Sequence, residues 1–416
     1  MKQSTRRSGV QAAIVVAASI LAVGLGAYGG AYAAPGPGAD PSAPVTEQQL
    51  ADYISAGLHR TPKGEVVRAV ADSGSADSTG SACTSGSGAG SGNGSGDCYG
   101  GSGSSTGSAG GHYSVPSGYG PAMTSWVGAF TYGLFNPNAG APGTNDWNCK
   151  PSAAHPRPVV LVHGTWMNAY NGAAYLAPEL KKDGYCLFAL NYGQSNLVQG
   201  GGLGPILPGI NGTGYIEDSA KQLSQFVDRV LAATGTQQVD MIAHSQGGVM
   251  ARYYQKFAGG QGKVKKMVTM GSTHHGTALV GIGALGRAVN NLGIDVLGLV
   301  EVFVGHAGIQ QTVGSTFIHK VNAGGDTVPG TDYTVIATRY DEVTNPYPLT
   351  FLNPGPGATV TNVTLQDGCE QDLSDHLTMQ YSPRALSVIR RALDPAGNHR
   401  PVCTFNPWLV GGAGSL

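Results

Sequence analysis

Residues 238–256 read QVDMIAHSQGGVMARYYQK, and the reading of Ser245 inside them decides the fold. Val239 to Ala243 is a short, mostly apolar run, the pattern of a buried strand. From Gln246 onward the pattern is helical. A serine at such a junction has two readings. It can cap the helix, its hydroxyl accepting a first-turn N–H. Or it can be a nucleophile on a sharp, strained strand-to-helix turn. That turn presses the backbone against its neighbours and needs small residues two positions either side of the serine. Ala243 and Gly247 stand there, alanine being the smallest departure from the usual glycine.

Working outward, the chain around this stretch alternates strands and helices. PVVLVHG (158–164) and YCLFALNYG (185–193) are short apolar runs closed by glycine, hence buried strands. Residues 171–184, NGAAYLAPELKKDG, look helical. YIEDSAKQLSQFVDRVLAATG is the clearest helix, with Ile216, Ala220, Leu223, Val227, Val230 and Leu231 on one face. It has acids in its first turn and Gly235 as its stop. Strands KVKKMVTMGS, YTVIATRY and TVTNVTLQD follow the elbow helix, and SPRALSVIRRALDP is the last helix. Apolar strands alternating with helices predict a mostly parallel sheet covered on both faces. The stretch 278–321 breaks this rhythm. It is apolar and glycine-rich, and reads either as core helices or as a cap or lid.

A reactive serine needs a base, and the base needs an acid to orient it. In α/β hydrolases, which an elbow of this kind resembles, they follow in the order serine, acid, histidine, at strand C-terminal ends. Asp341 follows YTVIATRY, and His376 lies in the loop after TVTNVTLQD. Asp372 and Asp375 are alternative acids, although Asp375 adjoins His376 and its side chain would normally diverge. His163, His244, His274 and His275 lack the required position in this order and are read as structural, with His275 at the edge of the cleft. His59, His112, His155 and His399 lie outside the strand ends and are read as exposed. An oxyanion needs two backbone N–H donors. Gln246, after the nucleophile, offers one. Thr165, in the HGTW loop after PVVLVHG, offers the other.

The remaining features bound the protein's setting. Its 416 residues are 41% hydrophobic and only 12% charged, with a formal net charge of −1. Nothing in that balance suggests a nucleic-acid partner. Residues 1–33 carry Lys2, Arg6 and Arg7, an apolar stretch and an Ala31-Tyr32-Ala33 cleavage site, the anatomy of an export signal. The alternative is an uncleaved membrane anchor. Residues 34–72 hold one short helix, and 73–118 are a Gly/Ser-rich segment that buries almost nothing. The catalytic domain is then expected over 119–416. Six cysteines in an exported chain predict three disulfides. Order along the chain suggests Cys83–Cys98, Cys149–Cys186 and Cys369–Cys403. No His/Cys spacing suggests a metal, and no motif implies a cofactor.

PVVLVHGTW, GYCLFALNYG, VDMIAHSQGGVMARYY, MVTMGSTHHGT, ATRYDEVTNPY and the DH of LSDHL resemble the secreted class 2 lipases and esterases of the α/β-hydrolase superfamily. The resemblance covers residues 145–395. It implies an α/β-hydrolase fold with Ser245, Asp341 and His376 as the triad, and Thr165 and Gln246 as oxyanion donors. It implies hydrolysis of lipid or small ester substrates, with no metal in the chemistry; whether a lipid interface takes part is left open. A polyester or wax-ester depolymerase, or an acyltransferase with the same triad, remains open. So does a non-catalytic surface protein on the same scaffold. Acyl chain length and oligomeric state carry no sequence signature.

Overall fold

The computed structural model describes residues 112–195, 209–277 and 300–409. The leader, the 34–72 helix, Cys83 and Cys98, and residues 278–299 lie outside the described residues.

Two short strands come first. β1 (Gly118–Tyr119) pairs in parallel with β2 (Ala139–Gly140), and helix α1 (Trp126–Phe135) lies between them in sequence. The main sheet has six strands: β3 (Val159–Val162), β4 (Leu187–Ala189), β5 (Val239–His244), β6 (Val264–Met270), β7 (Asp332–Ala337) and β8 (Thr359–Thr364). Their order is β4-β3-β5-β6-β7-β8, and every neighbouring pair is parallel.

Strand periodicity sorts the side chains between two cores. Val160 and Val162 face one core with helices α3 (Ile216–Thr234) and α4 (Gln246–Phe257). Val159 and Leu161 face the other, with α2 (Leu176–Lys182) and the C-terminal helix. With apolar packing on both faces, β3 and β4 can be apolar at every position. Leu223, Phe226, Val227 and Val230 of α3 are fully enclosed, each worth roughly 1.5–3 kcal/mol. As expected, Gly235 ends α3, in the left-handed region with its N–H on the Leu231 carbonyl.

The segment after the masked stretch forms α5 (Val300–Gln310), interrupted at Gly305, and α6 (Thr316–Asn322). Ala307, Phe317, Ile318 and Val321 join the core beside α4. These core contacts come from the two helices, while the turn between them leaves Val313 exposed. The last helix, α7 (Pro383–Leu393), is capped by Ser382, whose hydroxyl accepts the Arg384 and Ala385 N–H groups.

Some expectations shift. The helix read over 171–184 is shorter, because Asn168 and Asn171 bond the local backbone instead. Asn168 Oδ1 accepts from the N–H of Tyr170 and Asn171, and Asn171 Oδ1 from that of Asn168. Such side chains compete with helical bonding. Residues 112–118 lie before the expected domain start, yet they pack onto it: Ser114 bridges Asn191, and Tyr113 meets Phe226 edge-on. His155 is half-buried against the Tyr185 ring, 3.9 Å between centroids, because the apolar flank of that tyrosine needs a cover.

The topology fixes where a site can form. From β3 the chain steps outward to β4, then crosses back to β5 and continues to β8. The C-terminal ends of β3 and β5 therefore lie side by side, Val162 against Ala243, where the winding reverses. That reversal leaves a crevice. The two described disulfides lie at opposite ends of the sheet. Cys149–Cys186 sits just before β4 begins (Cα–Cα 5.7 Å), and Cys369–Cys403 in the loop after β8 ends (5.4 Å).

Candidate active site

Ser245 links β5 to α4 at φ 53° and ψ −128°, a conformation rare for any residue with a side chain. It occupies the cap position of α4, yet its hydroxyl makes no capping bond. The strain is thus not repaid by helix capping, which argues against the first reading of this serine. Packing explains the small neighbours. A Cβ on Gly247 would lie 2.6 Å from the His163 carbonyl oxygen and 2.8 Å from that of Val162. Ala243, on the strand side, keeps its methyl buried without a clash.

His376 comes from the loop after β8, as expected. Its Nδ1 lies 2.9 Å from Asp341 Oδ1 and 3.0 Å from Oδ2, with both side chains enclosed. Asp341 Oδ1 also accepts the N–H groups of Val343 (3.0 Å) and Thr344 (2.6 Å). Three donors thus converge on this one carboxylate. An anion at Nδ1 places the proton there and leaves the Nε2 lone pair as the basic one. Gly271 (φ +54°) makes room for the pair: a Cβ there would come within 3.0 Å of both Asp341 Oδ2 and His376 Nδ1.

The alternative acids do other work. Asp372 accepts from Ser374 N and Ser382 Oγ, and so ties the histidine loop to α7. Asp375 accepts from Thr378 N, Thr378 Oγ1 and Leu409 N. Neither reaches the His376 ring.

The histidine loop and the elbow touch. His244 Nε2 lies 2.8 Å from the His376 carbonyl oxygen, with ring centroids 4.7 Å apart. A carbonyl can only accept, so His244 carries its proton on Nε2. Burial first, then the neighbouring His376, pushes its pKa well below the ordinary value, which keeps it neutral. His163 stacks on Tyr192 at 4.2 Å, and burial lowers its pKa to about 4. His274 is buried and bonded to Thr269 Oγ1, while His275 meets the Leu349 carbonyl and Asp326.

The two expected oxyanion donors flank the serine. A Cβ on Gly164 would lie 2.9 Å from Ser245 Cβ, so the HGTW loop abuts the elbow. The next residues hold that loop in place: Trp166 at φ 61° donates its N–H to Asn211, and Thr165 Oγ1 accepts from Gln311 Nε2. Gln246 anchors its side chain on the Gly212 carbonyl, and its backbone N–H opens α4. Among the described residues, neither the Thr165 nor the Gln246 N–H donates to a backbone carbonyl outside the helices and strands. No group of three or more His, Cys, Asp or Glu among the described residues could hold a metal ion.

Residues 156–376, more than half of the chain, match the family described as lipase (class 2). The chain belongs to the class 2 lipases. The family match begins just before β3 and closes on His376, so it contains every residue of this site. The fold is that of the α/β hydrolases, and the family groups the chain with enzymes that hydrolyse carboxylic esters. Solved structures similar to this class 2 lipase include Aspergillus fumigatus lipase B, 18% identical with a TM-score of 0.47. That match covers 63% of this chain and 57% of the fungal one. Bacillus licheniformis lipase BlEst2 in its mature form is 16% identical, with a TM-score of 0.39, over 59% of this chain and 94% of its own.

Two residues of this class 2 lipase that contact the His376 main chain, His244 at its carbonyl and Glu342 at its N–H, were missed in the sequence. His244 was legible only as a filler of the elbow, and Glu342 only as the neighbour of Asp341. Burial pushes the Glu342 carboxyl well above the ordinary carboxylate range, helped by Asp375 and Asp341. Neither contact has a local pattern that could have announced it.

Proposed function

We propose that the protein is an exported serine carboxylic-ester hydrolase acting on lipid or small ester substrates. Ser245 is the nucleophile, His376 the base and Asp341 the orienting acid. The observation that carries this reading is a strained serine whose hydroxyl caps nothing, in a turn whose preceding residue, His244, touches the histidine whose Nδ1 is taken by a carboxylate. Ser245 Oγ attacks the ester carbonyl carbon as His376 Nε2 accepts its proton. The Thr165 and Gln246 N–H groups stabilise the oxyanion. Collapse expels the alcohol, which takes the proton from His376. Water then enters by the same path and releases the acid. Asp341 holds the imidazole tautomer and balances the charge it acquires.

Export rests on the leader anatomy of residues 1–33 and is supported by two disulfides, which persist in oxidising compartments. The test is Ser245→Ala assayed on p-nitrophenyl esters, with circular dichroism to check the fold. Hydrolysis should fall by about 10⁴-fold or more. Activity at the wild-type level in a folded variant contradicts the assignment. Adding glycerol to the wild-type assay separates hydrolysis from acyl transfer by its products.

A further inference from the structure

We propose that Glu342 and His244 are positioning residues for the base, gripping the main chain of His376 from both sides, and that Glu342 does so as an uncharged acid. The proposal rests on the triad reading above and adds the groups that hold its histidine in place.

The grip is explicit in the geometry. The His376 N–H donates to Glu342 Oε2 at 3.0 Å, and the His376 carbonyl accepts from His244 Nε2 at 2.8 Å. Glu342 follows Asp341 in the chain and His244 precedes Ser245. Each partner of His376 therefore contributes a neighbour that fixes the peptide groups flanking the imidazole. A displacement of about 1 Å at a reacting group costs on the order of 10²-fold in rate, so such a grip bears directly on turnover.

The charge state follows from counting donors. Three carboxyls converge here, because a parallel bridge from Tyr340 to Asp375 sets the two loops side by side. Asp341 accepts three N–H groups: Val343, Thr344 and His376 Nδ1. Asp375 accepts two bonds from Thr378 and one from Leu409. Glu342 has the His376 N–H at 3.0 Å and its own backbone N–H, fewer donors than either aspartate, and its Oε1 is fully enclosed. Like charges this close cannot all ionise, and the proton settles on the carboxyl with the fewest donors. The groups facing Glu342 are Asp341, Asp375 and the His376 main chain, and the two acids act in the same direction as burial. A neutral Glu342 leaves the imidazole paired with a single carboxylate. An ionised one would add a second anion and force the loops apart.

The experiment compares kcat and KM across pH for wild type, Glu342→Ala, Glu342→Gln, His244→Phe and His244→Gln on a short-chain ester, with Ser245→Ala as reference. Thermal unfolding checks the fold of each variant. Glu342→Ala and His244→Phe should each lose about tenfold to 10²-fold in kcat with KM within about twofold. Glu342→Gln and His244→Gln, which keep the acceptor and the donor respectively, should recover most of that loss. On the alkaline side wild type should decline as Glu342 ionises, and Glu342→Gln should not follow it. Wild-type kcat in folded Glu342→Ala and His244→Phe overturns the grip. An alkaline limb identical in wild type and Glu342→Gln overturns the uncharged acid. If Ser245→Ala keeps its activity, the triad reading falls. If that variant is dead while the Glu342 and His244 variants match wild type, only this inference falls.

Discussion

The turn at Ser245 and the loop at His376 meet at one rim of the sheet, but they are held in opposite ways. The turn is a local object. A buried strand enters it and a helix leaves it. Ser245 stands in it at φ 53°, two residues before the close packing at Gly247. The loop is built from distant partners. Asp372 reaches Ser382, Gln366 reaches Thr338, and Asn406 of the C-terminal tail donates to Ser374. Cys403 closes the tail onto Cys369. The turn at Ser245 can thus be fixed by its own neighbours, whereas the loop at His376 needs bonds that span the chain.

The largest effect expected is on the acid that faces the loop. Asp341→Asn should leave the fold intact and lower kcat by about 10⁴-fold, because the amide favours the wrong imidazole tautomer. Single-turnover kinetics on a p-nitrophenyl ester measures this directly. A loss below tenfold would mean that another group orients His376.

The two disulfides sharpen the contrast next. Each should contribute about 2–4 kcal/mol, by constraining the unfolded chain. Replacing Cys369 and Cys403 together by serine should cost activity as well as melting temperature, because the tail supports the histidine loop. Replacing Cys149 and Cys186 should lower melting temperature alone, since that bridge lies at the opposite end of the strands. Paired assays of kcat and melting decide it. Equal losses of kcat in both double variants would remove the distinction.

Gly247→Ala probes the local side. Its methyl would meet two carbonyl oxygens that belong to the sheet and its adjoining loop, at a cost of about 1–3 kcal/mol. Denaturant unfolding reads the cost. A neutral outcome would show that the elbow can relax.

The smallest effect is the pH dependence of stability at Glu342. Unfolded, it titrates near its ordinary value of 4.5; folded, it keeps its proton to higher pH. Folding then binds a proton, so the native state loses stability as pH rises from the unfolded value to the folded one. Glu342→Gln has no proton to lose. Its melting temperature should gain on wild type as the solution turns alkaline, and the gap should close in acid.

The same contrast explains what could be read in advance. The strand-to-helix turn, the bounds of α4, the loop positions of Asp341 and His376, and the parallel sheet all leave local signatures: periodicity, terminal glycines and place in the order of strands. Helix α1 left none, because WVGAFTYGLF is apolar without a face. Helix α2 came out shorter than its pattern because two asparagines captured the backbone ahead of it. Glu342 and His244 act through the main chain of a residue far along the sequence, and no spacing encodes such a contact.

The most direct test of the central claim is to label the intact protein with a fluorophosphonate and map the adduct by mass spectrometry, in wild type and in folded His376→Ala. A single adduct on Ser245, formed quickly in wild type and slowly or not at all without the imidazole, is the predicted result. No adduct in wild type, an adduct on another residue, or equal labelling in both proteins would contradict it.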